Sequence, residues 1–317
     1  MSLKTTKYLS LTIIAAICLI SCHLDNSTKT DSDRYTTWTS YLGGPDRNHF
    51  SSLSQITLDN VAQLKMAWSY SAPDSGQMQM NPIVVDTILY GVTAALRAVA
   101  LHAGTGKEIW KFGDSLQLTN STSRGVAYWA KDDNKRILFT QGSNLFALNA
   151  ITGTPISSFG ENGKIDLHYG LPSSARDKFV VSNTPGTIYR DLIVMPIRLS
   201  EGSGAAPGDI MAFNVITGQL QWAFHTIPHP GEPGNETWED PDSYKSETVG
   251  AANNWAGMAL DEATGMLYVP TGSAAPDFYG GDRKGSNLYA NTLLALDAQS
   301  GKLLWHYQFT HHDLWDR

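Results

Sequence analysis

The chain of 317 residues contains only two cysteines, Cys18 and Cys22, and both lie near its amino terminus. Because no cysteine follows, the body of the protein cannot use cysteine catalysis, thiolate metal centres or covalent c-type haem. Basic residues are also in deficit, since 23 Lys and Arg stand against 30 Asp and Glu, a net charge of −7. No positive field is available to hold phosphates, so we expect no nucleic-acid partner.

Long apolar runs are confined to one stretch near the amino terminus, "LSLTIIAAICLI", which follows a short basic start. This run is too short to span a bilayer comfortably and is typical of a signal peptide. It leads into "LISC", which resembles a bacterial lipobox. We therefore predict a lipoprotein signal peptide over 1–22, lipidation of Cys22 and a polar tether over 23–34. The product would be membrane-anchored in the bacterial cell envelope and face the periplasm. The alternative is an ordinary signal peptide that happens to contain a cysteine.

An eleven-residue pattern recurs four times along the chain. It begins with Ala, carries Thr-Gly or Ser-Gly at its sixth and seventh positions, and usually ends in Trp. The four glycines are Gly106, Gly153, Gly218 and Gly301. Their separations are 47, 65 and 83 residues. The first suits a propeller blade, and the larger ones imply insertions.

Each copy of the pattern predicts an alternating strand, a tight turn at the glycine and a second strand. Such antiparallel units cannot bury both faces alone, so radial packing into an all-β propeller is favoured. The alternative is a β-sandwich with similar hairpins. Trp110, Trp222 and Trp305 end three copies and are expected to dock one blade on the next. The stretch Gly104–Lys107 lacks the second upstream glycine, the Ser or Thr and the helix of a phosphate loop.

These repeats, together with "WTSYLGGPDRNHF" near the start and "HHDLWD" near the end, resemble the quinoprotein alcohol and sugar dehydrogenases. The branch that contains membrane-type glucose and quinate dehydrogenases is the most similar. Its members are eight-bladed propellers that carry pyrroloquinoline quinone (PQQ). The resemblance implies that residues 35–317 form about half of such a propeller as an incomplete ring.

The resemblance also implies roles for particular residues. Asp316 matches the catalytic base, Trp255 matches the indole on which the quinone stacks, and Arg124 matches a guanidinium that grips a PQQ carboxylate. Arg198 matches a second cofactor arginine, and Ser182 is expected to add a hydroxyl. Glu201 falls near the acid that binds calcium. These groups suit a flat, tricarboxylated quinone beside a hard cation, Ca²⁺ or Mg²⁺.

The sequence departs from the family pattern at several positions. Alcohol-type members carry adjacent cysteines before the Arg-Gly, and this chain has none there. Asn120 stands where the glucose branch has a histidine, and is expected to neighbour the cofactor. Ser273 stands where alcohol-type members have a calcium-binding asparagine. His311 and His312 point to opposite sides of an extended chain, so we interpret them as supporting residues rather than a zinc pair.

The implied reaction is oxidation of a sugar or polyol hydroxyl by hydride transfer to PQQ, with Ca²⁺ as Lewis acid and Asp316 as base. Electrons would pass to a quinone or another respiratory acceptor. The family domain is much longer than this chain, so a second chain or a carboxyl-terminal half is expected to complete the propeller. The alternatives are a non-catalytic propeller scaffold, resembling the lipoprotein of outer-membrane assembly, and an inactive fragment.

Overall fold

The computed structural model describes residues 35–113 and 122–315. The predicted signal peptide, Cys22, the tether, Asn120 and Asp316 lie outside the described residues. Within them the structure is almost wholly β, with twenty strands, β1 to β20, and five short 3₁₀ helices. None of these helices is long or apolar enough to cross a membrane.

Sixteen strands form four antiparallel sheets in which sequence neighbours pair. The first two sheets are β1 (Ile83–Val85), β2 (Ile88–Val92), β3 (Ala98–His102) and β4 (Glu108–Phe112), then β5 (Ala127–Lys131), β6 (Asn134–Gln141), β7 (Asn144–Asn149) and β8 (Lys164–Asp166). The last two are β10 (Thr187–Tyr189), β11 (Leu192–Met195), β13 (Ile210–Asn214) and β14 (Leu220–Phe224), then β16 (Ala259–Asp261), β17 (Met266–Pro270), β19 (Thr292–Asp297) and β20 (Leu303–Gln308).

Two smaller sheets have two strands each. In each, a strand that precedes the first strand of a large sheet pairs with a strand from the connection between the second and third strands of that large sheet. They are β9 (Val180–Val181) with β12 (Arg198–Leu199), and β15 (Gly250–Ala251) with β18 (Ala274–Ala275). The 3₁₀ helices are Val61–Gln63, Leu167–Gly170, Ser173–Ala175, Asn235–Thr237 and Ser243–Lys245. Both small sheets extend the connections at one end of the large ones.

The four large sheets pack face to face in chain order. One apolar cluster joins the first sheet to the second, another the second to the third, and another the third to the fourth. The innermost strand β10 contacts the innermost strands β5 and β16. Because the sheets succeed one another around shared inner strands, the prediction of an all-β partial propeller is confirmed. The β-sandwich alternative is wrong.

The repeated turns make the contacts between blades. All four motif glycines have a left-handed backbone, with φ of 70°, 72°, 76° and 71°. A Cβ at Gly153 would lie 2.5 Å from Cδ2 of Trp110, so the indole lies against bare backbone. The indole N–H of Trp110 donates to the Ala150 carbonyl at 2.9 Å. Trp222 makes the same contact with the turn at Gly301, and its N–H lies 3.3 Å from the Ala298 carbonyl. The predicted docking roles of Trp110 and Trp222 are confirmed.

The contact with the third motif uses arginine instead of tryptophan. The preceding copy of the pattern ends in Ser157 and has no indole to offer. Arg136 donates to the carbonyls of Val215 and Ile216 at 2.9 and 3.0 Å. Its side chain is buried, and that burial lowers its pKa. A buried guanidinium therefore supplies the donor that an indole supplies between other blades.

Trp305 differs from its counterparts. It is 42% exposed, whereas Trp110 is 8% and Trp222 is 9% exposed. Tyr307, on the same face of β20, and Phe309, just beyond the strand, are also exposed and apolar. No sheet of the described residues 35–113 and 122–315 covers this face of β20, so the predicted docking contact of Trp305 is not formed among them.

The amino-terminal segment links the first and fourth blades at their inner strands. The Trp38 carbonyl accepts from Val84 of β1 at 2.8 Å, and the Pro45 carbonyl accepts from Leu260 of β16 at 2.9 Å. Arg47 adds bonds of 3.2 Å to the Met258 carbonyl and to the Thr187 hydroxyl. The segment therefore joins the first, third and fourth blades near their inner strands.

We expect Arg136→Met to lower the free energy of unfolding by about 2–3 kcal/mol, because it leaves two buried carbonyls without a donor. Chemical denaturation measures this directly. Lys135→Met is the matched control, since this partly exposed neighbour makes only a 3.9 Å ion pair with Asp86, and it should change stability by less than about 0.5 kcal/mol. Equal losses in the two variants would contradict the docking role of Arg136.

Candidate functional site

A cavity of about 270 Å³ opens at one end of the inner strands. In an up-and-down antiparallel sheet, the start of the first strand and the connection between the second and third strands lie at the same end. The cavity is lined by such segments from different blades. Five predicted site residues line it: Arg124, Arg198, Glu201, Trp255 and Ser273. Other lining residues include Gln77, Gln79, Thr122, Asn183, Asn253 and Asp277.

Arg124 and Trp255 form one wall of the cavity. The guanidinium carbon of Arg124 lies 5.3 Å from the centre of the Trp255 ring, within range of a cation–π contact. Thr184 ties the two together, since its hydroxyl donates to the Trp255 carbonyl at 2.8 Å and accepts from Arg124 at 3.2 Å. Trp255 is still 49% exposed. A cation and a large aromatic face are therefore both open to the cavity.

The positive charge of Arg124 also acts on Tyr41, which does not line the cavity. Burial raises the pKa of the Tyr41 hydroxyl, and the positive charges of Arg124 and Arg47 oppose that rise. Tyr41 belongs to the amino-terminal segment that joins the inner strands.

Buried amides hold the segment that leads to Trp255. Asn254 donates to the carbonyls of Gly257 and Pro270 at 3.0 and 2.6 Å, and accepts from the Gly257 N–H at 3.2 Å. The Asn253 amide donates to the Ile197 carbonyl at 2.6 Å. Because each polar group is satisfied by backbone from neighbouring connections, the indole is held in place before any ligand arrives.

Arg198 and two acidic residues also line the cavity. Arg198 lies in β12, where its guanidinium carbon stands 5.8 Å from the Phe179 ring centre. Glu201 follows on the same connection, and its side chain is exposed. The backbone carbonyl of Glu201 accepts from the Asp277 N–H at 3.1 Å, which brings a second carboxyl group to the cavity.

Ser273 belongs to a buried polar network. Its hydroxyl donates to the Asp313 carboxylate at 2.6 Å and accepts from the Asn291 amide at 3.2 Å. Arg283 holds the network from behind, because it donates to the Asp313 carbonyl at 2.5 Å. Burial lowers the pKa of Arg283, and the charges of Asp277 and Asp313 act in the opposite direction. Asp277, Arg283 and Asp313 were not predicted from sequence, although Asp313 stands inside the "HHDLWD" stretch.

The remaining predicted residues lie around the cavity rather than in its wall. Ser182 is buried, and its hydroxyl donates to the Thr184 carbonyl at 3.1 Å, so it supports the residue that binds Arg124. His312 Nδ1 lies 2.8 Å from the Gly285 carbonyl. The Trp315 N–H donates to the Asp277 carbonyl at 3.0 Å. The residue before Asp316 is therefore tied to a lining residue of the cavity.

The residues present fit a flat, polyanionic aromatic group with a hard cation beside it. Two guanidinium groups suit carboxylates, and an open indole face suits a planar ring. Asn183 contributes a buried amide oxygen that has no hydrogen-bond donor within the described ranges, and oxygen is the ligand that Ca²⁺ prefers. The carboxylates of Glu201 and Asp277 line the same space. In the described part of the chain they do not converge with a third carboxylate or imidazole.

Comparison with known families defines the class of protein. Residues 38–317 match the family described as "PQQ: Glucose/ethanol/alcohol dehydrogenase, beta-propeller domain". The chain therefore belongs to this family, and the resemblance drawn from its repeats is confirmed.

Individual relatives place the chain near the branch expected from sequence. It is 33% identical to quinoprotein glucose dehydrogenase of Escherichia coli K12 and 32% identical to quinate/shikimate dehydrogenase (quinone) of Acinetobacter baylyi. Each alignment covers 88% of this chain and 38% of the relative. The chain thus spans well under half the length of these curated relatives. The crystal structure of quinohemoprotein alcohol dehydrogenase from Comamonas testosteroni superposes with a TM-score of 0.75 at 25% identity, covering 90% of this chain and 43% of that one.

We expect Asn254→Ala to lower the free energy of unfolding by about 2–3 kcal/mol, because two carbonyls and one N–H lose their buried partner. Urea denaturation measures the loss. The exposed amide Gln221, replaced by Ala, serves as the control and should leave stability within about 0.5 kcal/mol of the parent. A loss for Asn254→Ala no larger than that of the control would show that the amide does not hold the Trp255 segment.

Proposed function

We propose that this chain supplies the PQQ-binding and substrate-activating half of a dehydrogenase that oxidises a sugar or polyol hydroxyl. The observation that carries the proposal is the Arg124–Trp255 wall, a cation and an open indole face that different blades bring to one cavity. Family membership and the relatives acting on glucose and quinate support the reaction class. A non-catalytic scaffold has no need of this wall.

Each lining residue has a task in this proposal. Trp255 provides the surface on which the planar cofactor stacks, and Arg124 and Arg198 neutralise its carboxylates. Ser182 acts through Thr184, which positions Arg124. When bound, PQQ supplies a reactive carbonyl that takes the hydride from the carbon bearing the substrate hydroxyl. The protein holds the cofactor in a rigid cleft, so that the hydroxyl meets it in one orientation.

Asp316 is proposed to accept the hydroxyl proton. Its neighbour Trp315 is bonded to Asp277, which supports a position for Asp316 beside the cavity. A bound Ca²⁺, held through Glu201 and the amide oxygen of Asn183, would keep such a carboxylate ionised by its positive charge. Ser273 is proposed to lie beside the same cation, with its hydroxyl positioned by the bond to Asp313. Asn120 is proposed to contact the cofactor from the same side as Arg124.

The remaining proposals concern the setting of the enzyme. We propose that residues 1–22 are a signal peptide, that acylated Cys22 anchors the protein through the tether 23–34, and that residues 35–317 face the periplasm. Electrons would leave for a quinone or another respiratory acceptor, in keeping with the quinone-linked relative.

We further infer that the face of β20 packs against another blade, in a continuation of the chain or in a second polypeptide. The four glycine turns of this chain are already covered: Gly106 by Trp68, Gly153 by Trp110, Gly301 by Trp222, and Gly218 by Gly160 and Ile165. A second copy of the chain therefore offers no vacant turn to Trp305. The partner should carry a further copy of the eleven-residue pattern.

Cofactor binding tests the first proposal. The chain lacking residues 1–22 is titrated with PQQ in the presence of Ca²⁺, and tryptophan fluorescence reports binding. Arg124→Met should weaken binding at least about tenfold, because a charge-assisted bidentate contact is lost. Arg176→Met, at an exposed arginine outside the cavity, should leave it unchanged. Equal affinity of the two variants, or no binding by the parent chain, would overturn the proposal.

Photo-crosslinking tests the blade contact. With p-benzoylphenylalanine in place of Trp305, irradiation of cells expressing the protein from its own locus should capture a peptide that contains the Ala-to-Gly turn pattern. Mass spectrometry identifies the captured segment. The exposed neighbour Leu304, whose side chain alternates to the opposite face of β20, is the control position and should not capture that segment. Capture of unrelated peptides from position 305 would contradict the inference.

A further inference from the structure

A second cluster of metal-binding side chains lies outside the Arg124–Trp255 cavity. His225, His229 and Glu232 are close enough that one ligand atom from each lies within 4.8 Å of the others. None of the three lines that cavity. The cluster follows strand β14 directly, at the start of the long connection between β14 and β15. Neither the family resemblance nor the proposed reaction uses these residues.

The carboxylate of Glu232 organises the cluster. Its Oε2 accepts from the His229 backbone N–H at 2.8 Å, and its Oε1 lies 2.9 Å from His225 Nδ1. The two imidazole rings are nearly parallel, with centres 3.8 Å apart. Tyr244 covers the other side of His229, with ring centres 4.0 Å apart. The imidazoles are thus confined between a carboxylate and an aromatic ring.

The connection that carries the cluster is rigid although it has little regular structure. The Thr226 carbonyl accepts from the Tyr289 N–H at 2.7 Å, and the Tyr289 hydroxyl donates to the Pro233 carbonyl at 2.9 Å. Asn235 bonds the carbonyls of Pro228 and Pro241, each at 2.9 Å. Because the backbone is tied down on both sides of the three side chains, binding would need only side-chain rotation.

The three side chains are of the types that bind divalent metals. They do so as a carboxylate and as neutral imidazoles, so metal binding at this cluster should compete with protons.

We propose that His225, His229 and Glu232 form a site for a divalent transition metal, with Zn²⁺ as the best match. Two histidines and one glutamate are a recurrent zinc set that leaves a fourth position for water or another ligand. Ligand atoms around tetrahedral Zn²⁺ lie about 3.3 Å apart, given bonds of about 2.0–2.1 Å. The ligand atoms of the three side chains now lie within 4.8 Å of one another, and rotation of the side chains would bring them to this separation. Oε1 of Glu232 would turn from the His225 ring to the metal, while Oε2 keeps its bond to the His229 backbone N–H. The metal would fasten the connection to the end of β14.

The test measures metal binding and needs no enzymatic activity. The chain lacking residues 1–22, stripped with chelator and free of a histidine tag, is titrated with Zn²⁺ by calorimetry. Co²⁺ then reports coordination through its visible spectrum. One equivalent should bind with micromolar affinity. Glu232→Gln should weaken binding at least about tenfold while keeping the fold, because the amide oxygen still accepts from His229. His229→Ala should weaken it further.

The matched control is His168→Ala. His168 also pairs with a carboxylate, at 2.6 Å from Asp166, but no second imidazole stands beside that pair in the described part of the chain. The His168→Ala variant should therefore bind Zn²⁺ as tightly as the parent does. Circular dichroism and cooperative unfolding establish that each variant is folded. Absence of binding by the folded parent at 100 μM Zn²⁺ (about the weakest affinity expected of a built site), or equal binding by Glu232→Gln and the parent, would overturn the proposal.

Discussion

The packing of a tryptophan on a bare glycine turn is the contact on which the rest of this structure depends. The indole needs a surface without a Cβ, and the same turn presents a carbonyl for its N–H, as Trp110 shows on Gly153 and Ala150. One contact thus buries a large apolar ring and satisfies a polar group at once. Because this contact is repeated from blade to blade, it sets the angle between successive blades. At the third motif these two contributions come from different residues, because Arg136 donates to the turn carbonyls while Gly160 and Ile165 cover Gly218.

The geometry of the cavity follows from that packing. Because every blade is an up-and-down sheet, its first-strand entry and its central connection emerge at the same end, and the docking contact keeps these ends together. Arg124 enters from the second blade, Glu201 from the third, and Trp255 and Asp277 from the fourth. The residues are far apart in the chain and adjacent in space.

Much of the site could be predicted because its residues stand in short, recognisable strings. Arg124, Arg198, Glu201, Trp255 and Ser273 were all predicted, and all line one cavity. Asp277, Asp313 and Arg283 were missed because a buried charge in a loop looks like a solvated one until its partners are known. Ser273 illustrates the difference. Its hydroxyl lies 2.6 Å from the Asp313 carboxylate, a contact that the residues around Ser273 in the sequence do not indicate.

By itself, the sequence determined the blade unit, its repeat and the left-handed turn, since strand periodicity and glycine conformation are local properties. It also determined the family, because the strings that carry it are contiguous. Only the tertiary structure decided which side chains converge. The polar network of Ser273, Asp313 and Arg283, the exchange of tryptophan for Arg136, and the grouping of His225, His229 and Glu232 all depend on contacts between connections. Such contacts depend on how the blades pack, so local sequence patterns do not predict them.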